Sequence, residues 1–281
     1  MNSTVSDPQN LSGRQPRPFS LTIYLLLVAA LSWPFQIIFA FYCKTPLSGY
    51  LLSSISMVMV TVATFIAGRY IFCDGFKNAG WSWGKPRHYL YVFLLALFIF
   101  ALPTALELIF KARVLPGGVP LLAILGNFAL YFVATLIPSF GEEFGWRGYM
   151  LPHLTRRFSL RKALIIHGFI WWAWHLPFLV SLGANFEGVE GPVSMKIGLM
   201  LLITLIPSMM NAVLFAYVWA ASGSLAVASV YHSAFDEVRD AIEKTIGFGP
   251  WVSLWEMAVT TLLGMLVLWK GNWSWLKVEK E

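Results

Sequence analysis

The stretch Leu21–Tyr42, with the sequence LTIYLLLVAALSWPFQIIFAFY, contains 22 residues and no charged side chain. A helix needs about 20 mostly apolar residues to cross the hydrocarbon layer of a membrane, so this stretch predicts a membrane span. It is longer than the apolar core of a signal peptide, which has about 7–15 residues, and no small-residue cleavage site follows it. We therefore expect a span that is retained in the protein.

The composition of the whole chain extends this prediction beyond one span. Of the 281 residues, 58% are hydrophobic and 12% are charged, whereas a soluble domain has about 25% charged residues. A charged fraction of 12% provides too few charged side chains to cover the surface of a soluble fold of this length. The hydrophobic content is too high for a disordered chain. Both classes are excluded, and an all-α, polytopic membrane protein is indicated.

Eight stretches meet the length and hydropathy expected of a span, although the seventh is short and needs Val238 and its neighbours to cross. They are Leu21–Tyr42, Tyr50–Ile71, Tyr89–Phe110, Val119–Ser139, Ala163–Leu182, Ile197–Ala220, Gly223–Phe235 and Trp251–Trp269. We expect a helical bundle of about eight transmembrane helices. It forms one domain over residues 20–270, with polar tails at 1–19 and 271–281.

The positive charges predict the orientation of this bundle. The segments on the side of the N-terminus hold 14 Lys and Arg residues, and those on the other side hold 6. Lys and Arg favour the cytoplasmic side, so both termini are expected in the cytoplasm of a multi-pass protein, in the cell membrane if the host is prokaryotic. The same clustering explains the net charge of +6, and we expect the lipid bilayer, and no nucleic acid, as a partner.

Two histidines lie too deep in predicted spans to be headgroup anchors. His175 and His232 are each roughly 13–18 Å from the inner ends of their spans, and they could converge on one centre. Asp236 follows His232 by four residues, so both side chains lie on one helix face. Asp236 could bind a metal with His232, orient its ring, or begin an outer loop. Glu107 and Glu256, near outer span ends, are expected at the headgroups.

Two further acids, Glu142 and Glu143, belong to the segment Gly141–Tyr149, GEEFGWRGY. Glu143 and Arg147 are spaced i,i+4 and predict an ion pair within one helix. Glu142 points about 100° away around the helix, which leaves it available as a base or ligand. The glycines at 141, 145 and 148 would let another helix approach closely.

Glu142 and the two histidines can share one site only if they lie at a similar depth in the membrane. Counting along the predicted span places it at the inner end, shallower than the two histidines. Either Pro138 breaks the span and a separate helix over residues 139–151 dips into the bundle, or the span begins nearer Leu125. A third interpretation is a solvated helix outside the membrane.

Three motifs in this order resemble those of the CAAX-protease and bacteriocin-processing (CPBP or Abi) family, which includes the type II CAAX prenyl endopeptidases. They are Glu142-Glu143-x-x-x-Arg147, Trp171-x-x-x-His175 and His232-x-x-x-Asp236. The resemblance covers roughly Val119–Asp236, and the core of the family would occupy about residues 119–240. Trp171 stands where the family commonly has Phe, and this exchange is expected to change the cavity wall but not its chemistry.

The resemblance implies an intramembrane endopeptidase with a cavity open to the cytoplasm and a membrane-associated peptide or protein substrate, prenylated or with a leader peptide. Glu142 would be the catalytic acid, joined by His175, His232 and Asp236. Glu143 and Arg147 would support them, and Trp171 would line the cavity. The resemblance thus implies seven site residues, namely Glu142, Glu143, Arg147, Trp171, His175, His232 and Asp236.

Two mechanisms are open at this point. In one, Glu142, His175, His232 and Asp236 hold Zn²⁺ and its bound water attacks the peptide. In the other, Glu142 and His175 activate water without a metal and His232 stabilises the oxyanion, a role for which Asp236 is a poor helper because an ionised carboxylate cannot donate. The alternative functions are a silent immunity or scaffold protein and a proton-coupled transporter.

Overall fold

The computed structural model describes residues 15–42, 45–112, 121–186, 188–247 and 249–276. The helices are α1 Leu21–Tyr42, α2 Pro46–Ile66, α3 Pro86–Ile109, α4 Leu121–Glu143, α5 Leu151–Arg157, α6 Leu160–Trp174, α7 Leu176–Ala184, α8 Val193–Ser222, α9 Leu225–Ile246 and α10 Pro250–Lys270. Among these described residues there is no β-strand, which confirms the all-α class.

The number of spans is close to the prediction. In the described part of the chain, six helices are long and apolar enough to cross a membrane. The pair α6 and α7, bent by 54° at their junction, would add a seventh span. The polytopic helical bundle is therefore confirmed.

Helix α9 differs from the short span predicted for Gly223–Phe235. It has 22 residues, and it is not among the helices apolar enough to span a membrane. Its second half carries charged residues, namely Asp236, Glu237, Arg239, Asp240, Glu243 and Lys244. Packing against α3 and α4 buries much of this helix, and of these charged residues Glu237 is buried, Asp236, Arg239 and Asp240 are partly exposed, and Glu243 and Lys244 are exposed.

Helix α4 continues past the predicted end of the fourth span. Pro138 lies inside the helix and does not end it, since a proline removes only one backbone donor and neighbouring helices support such positions. The helix passes through a π-helical segment, Phe144–Met150, into α5. The continuous run Leu122–Arg157 has 36 residues. A break at Pro138 is thus wrong, and Glu142 lies well inside the run.

Helix α4 packs between α2 and α9, which places its acidic end in the centre of the bundle. Gly141 and Gly145 face α2, where an added Cβ would meet Thr61 and Val60. The close helix approach predicted from these glycines is confirmed. On the other side of the molecule, α8 packs against α6, α7 and α10.

Glu107, which we expected at the headgroups from its position near a span end, makes a contact inside the protein. Its side chain is fully buried, and its carboxylate accepts a hydrogen bond from the backbone N–H of Trp251 at 2.6 Å. The acid therefore satisfies an unpaired donor in the first turn of α10, which compensates for its burial.

The predicted tails lie largely outside the described residues, at 1–14 and 277–281. The described part of the C-terminal segment packs on the bundle, because Trp273 and Leu276 are buried in the cluster that includes residues of α8.

Candidate active site

Glu142 is a buried carboxylate near the end of α4. Only 2% of it is exposed. The indole Nε1–H of Trp171, on α6, donates a hydrogen bond to its Oε2 atom at 3.2 Å. One carboxylate oxygen is therefore held in place by a neutral donor, and the group has no ion-pair partner in its own helix.

Glu143, the next residue, has different partners. Its Oε1 atom accepts from Arg147 Nη1 at 2.9 Å, which confirms the predicted i,i+4 pair. The same atom lies 2.8 Å from Nδ1 of His232 on α9. Glu143 thus links the π-helical segment to α9 through two basic groups.

Arg147 is buried with its guanidinium between two aromatic rings. Its central carbon lies 5.5 Å from the ring centroid of Trp171 and 5.0 Å from that of Phe215. Both distances fall within the range of cation–π contacts, which stabilise a guanidinium that has been removed from water. With the carboxylate of Glu143, these rings explain how the cation is accommodated in the core.

His175 lies at the break between α6 and α7. Pro177, near the start of α7, cannot donate a backbone hydrogen bond and cannot follow the preceding helix without a steric conflict. The His175 Nδ1 atom lies 2.8 Å from the carbonyl oxygen of Trp171. A carbonyl oxygen only accepts, so in the neutral ring Nδ1 carries the hydrogen and Nε2 is free to accept one.

His232 is held between two carboxylates. Its Nδ1 atom faces Glu143, and its Nε2 atom lies 3.4 Å from Asp236 Oδ2. Asp236 in turn lies 3.3 Å from Nη1 of Arg239. Of the alternatives left open for Asp236, the geometry agrees with a role in orienting the His232 ring.

Residues 123–238 match the family model described as "Type II CAAX prenyl endopeptidase Rce1-like". The chain contains an Rce1-like region. The resemblance stated from the three motifs is thereby confirmed, and every predicted site residue lies within this region.

A curated protein supports the same conclusion over a shorter stretch. The CAAX prenyl protease 2 of Methanococcus maripaludis is 46% identical to this chain over 48 residues. That stretch covers 17% of this chain and 17% of the relative. The chain therefore matches about a sixth of the length of this curated relative.

The structure brings the predicted residues of the Rce1-like region into one cluster. Trp171 lies between Glu142 and His175, since its indole bonds to the acid and its ring centroid is 4.6 Å from that of the histidine. His175 also lies close enough to His232 and Asp236 for electrostatic interactions. Glu143 completes the cluster by joining His232 to Arg147. His175 and Asp236 are partly exposed, whereas the other members are buried.

The side chains of this cluster do not form a ready set of metal ligands. Within the described residues, no group of three or more His, Cys, Asp or Glu side chains has an arrangement suited to a metal ion. The Nδ1 atom of His232 faces Glu143, and its Nε2 atom lies 3.4 Å from Asp236 Oδ2, so at most these two groups are placed as neighbouring ligands. As arranged in this structure, Glu142, His175, His232 and Asp236 therefore do not form the expected four-ligand Zn²⁺ set.

Two features of the Rce1-like region were not predicted from the sequence. Trp171 is more than a cavity wall, because its indole donates to Glu142 and a phenylalanine could not. Phe215 of α8 packs on Arg147 and stands edge-on to His232, with ring centroids 5.1 Å apart. No motif spacing points to Phe215, although the Trp in place of Phe at 171 is a signal for an added donor.

Proposed function

We propose that this protein is an intramembrane endopeptidase that hydrolyses a peptide bond of a membrane-associated substrate. The observation that carries the proposal is the placement of Glu142 and His175 on either side of Trp171, inside the Rce1-like region. A buried carboxylate and an imidazole with a free acceptor nitrogen, both contacted by the same tryptophan, are suitable groups for activating a water molecule between them. The family description favours a prenylated CAAX peptide as the substrate class.

In the proposed reaction, Glu142 removes a proton from water while the water oxygen attacks the carbonyl carbon of the peptide. Nε2 of His175 accepts a hydrogen bond from the same water. As the tetrahedral intermediate collapses, the C–N bond breaks and the proton passes to the leaving amine nitrogen. General base catalysis of this kind accelerates a reaction by about 10²–10⁴-fold.

The other members of the cluster hold this pair in position. Trp171 supports both groups, by its indole N–H on Glu142 and its carbonyl oxygen on His175. A network of alternating acidic and basic groups is formed by Glu143, Arg147, His232 and Asp236. It holds α4, the π-helical segment and α9 in fixed relative positions. These groups contribute by preorganisation, which lowers the cost of reorganising dipoles during the reaction.

Cleavage is tested with the full chain reconstituted in liposomes. We expect cleavage of a farnesylated CAAX peptide and much slower cleavage of the same peptide without its lipid and of a leader peptide. Glu142→Gln serves as the inactive control. Absence of cleavage by a folded wild-type protein would overturn the proposal, and proton flux under the same conditions would favour the transporter.

The metal-free form of the mechanism has its own test. Zinc is measured in the purified wild-type protein and in Glu142→Ala by elemental analysis, together with activity after treatment with a chelator. We expect less than about 0.1 zinc per chain in both proteins and full activity after chelation, since a catalytic zinc site uses about three protein ligands and a water. One zinc per wild-type chain that is lost in Glu142→Ala would show that the metal form is correct.

A further inference from the structure

A pocket lies at the end of the bundle where the segment before α1 meets α5 and the loop after α2. Its volume is about 350 Å³, and its lining residues are Arg17, Phe19, Asp74, His153, Arg156 and Arg157. None of the residues of the candidate active site lines it. We call it the basic pocket. It has no role in the proposed proteolysis.

The floor of the basic pocket is held by a set of defined contacts. Asp74 accepts a hydrogen bond from the Tyr149 hydroxyl at 2.9 Å, and its other oxygen lies 3.1 Å from His153 Nε2. The Phe19 ring stacks on the His153 ring, with centroids 4.1 Å apart and planes inclined by 7°. Two bonds and one stacked pair therefore fix the acid and the histidine in place.

Its walls are positively charged. Arg17, Arg156 and Arg157 contribute three guanidinium groups, and the one acid of the lining, Asp74, is already bound by Tyr149 and His153. The backbone N–H of Arg17 donates to Phe72 at 2.7 Å, which ties the segment before α1 to the loop after α2. The three arginines are exposed, and they line an open pocket whose volume exceeds that of a single phosphate group.

We propose that the basic pocket binds the phosphate group of an anionic membrane lipid. Guanidinium groups match phosphate oxygens with paired, charge-assisted hydrogen bonds. Basic pockets between transmembrane helices at the cytoplasmic end are known binding sites for the headgroups of anionic lipids. Ordinary clustering of positive charge by topology would scatter these residues over the surface, whereas here Arg17, Arg156 and Arg157 line one pocket together with the ordered Asp74–His153 pair. Because the pocket lies at the end of apolar helices, the phosphate comes from a lipid headgroup.

The contact with Tyr149 connects the basic pocket to the rest of the molecule. Tyr149 belongs to the same π-helical segment as Arg147, two residues earlier. A headgroup bound beside Asp74 therefore adds a further link between the membrane surface and the segment that carries the buried ion pair. The expected result is a protein that is more stable in anionic lipid than in zwitterionic lipid.

The test compares two double variants that remove the same charge from neighbouring exposed positions. Arg156→Gln with Arg157→Gln removes two guanidinium groups from the pocket. The control, Arg161→Gln with Lys162→Gln, removes two charges outside it, where Arg161 lies over the Trp269 ring. Binding of phosphatidylglycerol and phosphatidylcholine to the full chain in detergent is measured by native mass spectrometry, with thermal unfolding as the check on folding.

We expect wild-type protein to prefer phosphatidylglycerol, and the pocket variant to lose about tenfold or more in its affinity for that lipid. Each basic group near an anionic surface contributes roughly fivefold. The control variant should lose less than twofold. If the pocket variant is poorly folded, Arg17→Gln replaces it, with the same expected direction.

Three results would overturn the proposal. Equal losses in the two double variants would mean general surface attraction. Equal binding of both lipids would remove the preference for a negative headgroup. Displacement of phosphatidylglycerol by millimolar inorganic phosphate or by an acidic peptide, with tighter binding of that competitor, would assign the pocket to the competitor instead. Proteolysis does not enter any of these measurements, so their outcome is independent of the function proposed above.

Discussion

Glu142 and Glu143 are neighbours in the sequence, but their surroundings differ. Glu142 accepts one hydrogen bond from a neutral indole, whereas Glu143 contacts both Arg147 and His232. In the proposed mechanism, the carboxylate that contacts two basic groups stabilises the structure, and the one held by a neutral donor performs the chemistry. Isosteric changes at the two positions should therefore have different effects.

Glu142→Gln should abolish cleavage, with a loss of about 10²–10⁴-fold from the missing general base, and should leave thermal unfolding unchanged. Glu143→Gln should instead lower the unfolding temperature and the yield of folded protein, because breaking a buried charge pair costs about 3–5 kcal/mol. Both variants are assayed for peptide cleavage and for thermal unfolding in detergent. Cleavage by Glu142→Gln, together with a stable but inactive Glu143→Gln, would show that the two roles are exchanged.

A double variant separates the ion pair from other effects of Glu143. Glu143→Gln with Arg147→Met removes both charges, and replacing a buried pair by apolar groups is often neutral in stability. We expect the double variant to recover part of the unfolding temperature that Glu143→Gln loses. The same Arg147→Met change added to Glu142→Gln should give no such recovery. A double variant that is less stable than both single variants would contradict the pairing.

Trp171→Phe tests the indole donor, and Trp172→Phe is its matched control. The Trp172 indole also donates a hydrogen bond, but to Thr204 on α8. A hydrogen bond to a charged group contributes about 1.5–3 kcal/mol, so Trp171→Phe should lower kcat by roughly 10–100-fold with little change in KM. The control should retain kcat within about threefold. Equal losses of kcat in both variants would exclude a specific contribution of the Trp171 donor.

At the scale of the helices, the approach of α4 to α2 depends on glycine. An added Cβ at Gly141 would lie 2.8 Å from the Thr61 hydroxyl oxygen, and one at Gly145 would overlap the Val60 side chain. Gly126, on the same helix, has open space around it within 4 Å. These three positions differ in packing and not in residue type.

Gly141→Ala and Gly145→Ala should each destabilise the protein by about 1–3 kcal/mol, the usual cost of overpacking. Gly126→Ala should leave stability unchanged or raise it, because alanine is the better helix former. Thermal unfolding of the three variants in one detergent provides the measurement. An equal effect at all three positions would show that the close approach of α4 and α2 does not limit stability.

The break between α6 and α7 has a similar consequence for the site. It places His175 where the helix changes direction by 54°, so its ring does not follow the helical repeat of α6. Depth counted along a straight span therefore gives only the level of this residue in the membrane. Its direction depends on the break, on the bond to the Trp171 carbonyl and on the ring contacts with Trp171 and Trp174.

At the scale of the whole molecule, the distribution of Lys and Arg predicts that both termini face the cytoplasm. In a background with Cys43→Ser and Cys73→Ser, Ser159→Cys lies between α5 and α6 and Ser194→Cys lies near the start of α8. Both positions are exposed. A membrane-impermeant thiol reagent should label Ser194→Cys in intact cells and Ser159→Cys only after the cells are opened. Labelling of Ser159→Cys from outside would reverse the orientation and the direction of the cavity.

The class of fold and the contacts within one helix can be predicted from the amino-acid sequence without a structure. Length and hydropathy decide which segments enter a membrane, because the backbone there must satisfy its own hydrogen bonds. The pairs Glu143–Arg147 and His232–Asp236 follow from the helical repeat alone. The motifs also named residues that lie close together in the structure, although their roles stay a prediction.

The way in which these helices pack against one another could be learned only from the tertiary structure. The contacts of Glu143 with His232 and of Trp171 with Glu142 join residues 89 and 29 positions apart. Their formation depends on how α4, α6 and α9 are rotated and packed against each other. The continuation of α4 past Pro138, and the burial of Glu237 in the charged half of α9, likewise depend on neighbouring helices. A hydrophobic pattern describes the face that a helix buries, but not the partner that it meets there, and this partner determines which of two adjacent glutamates is paired.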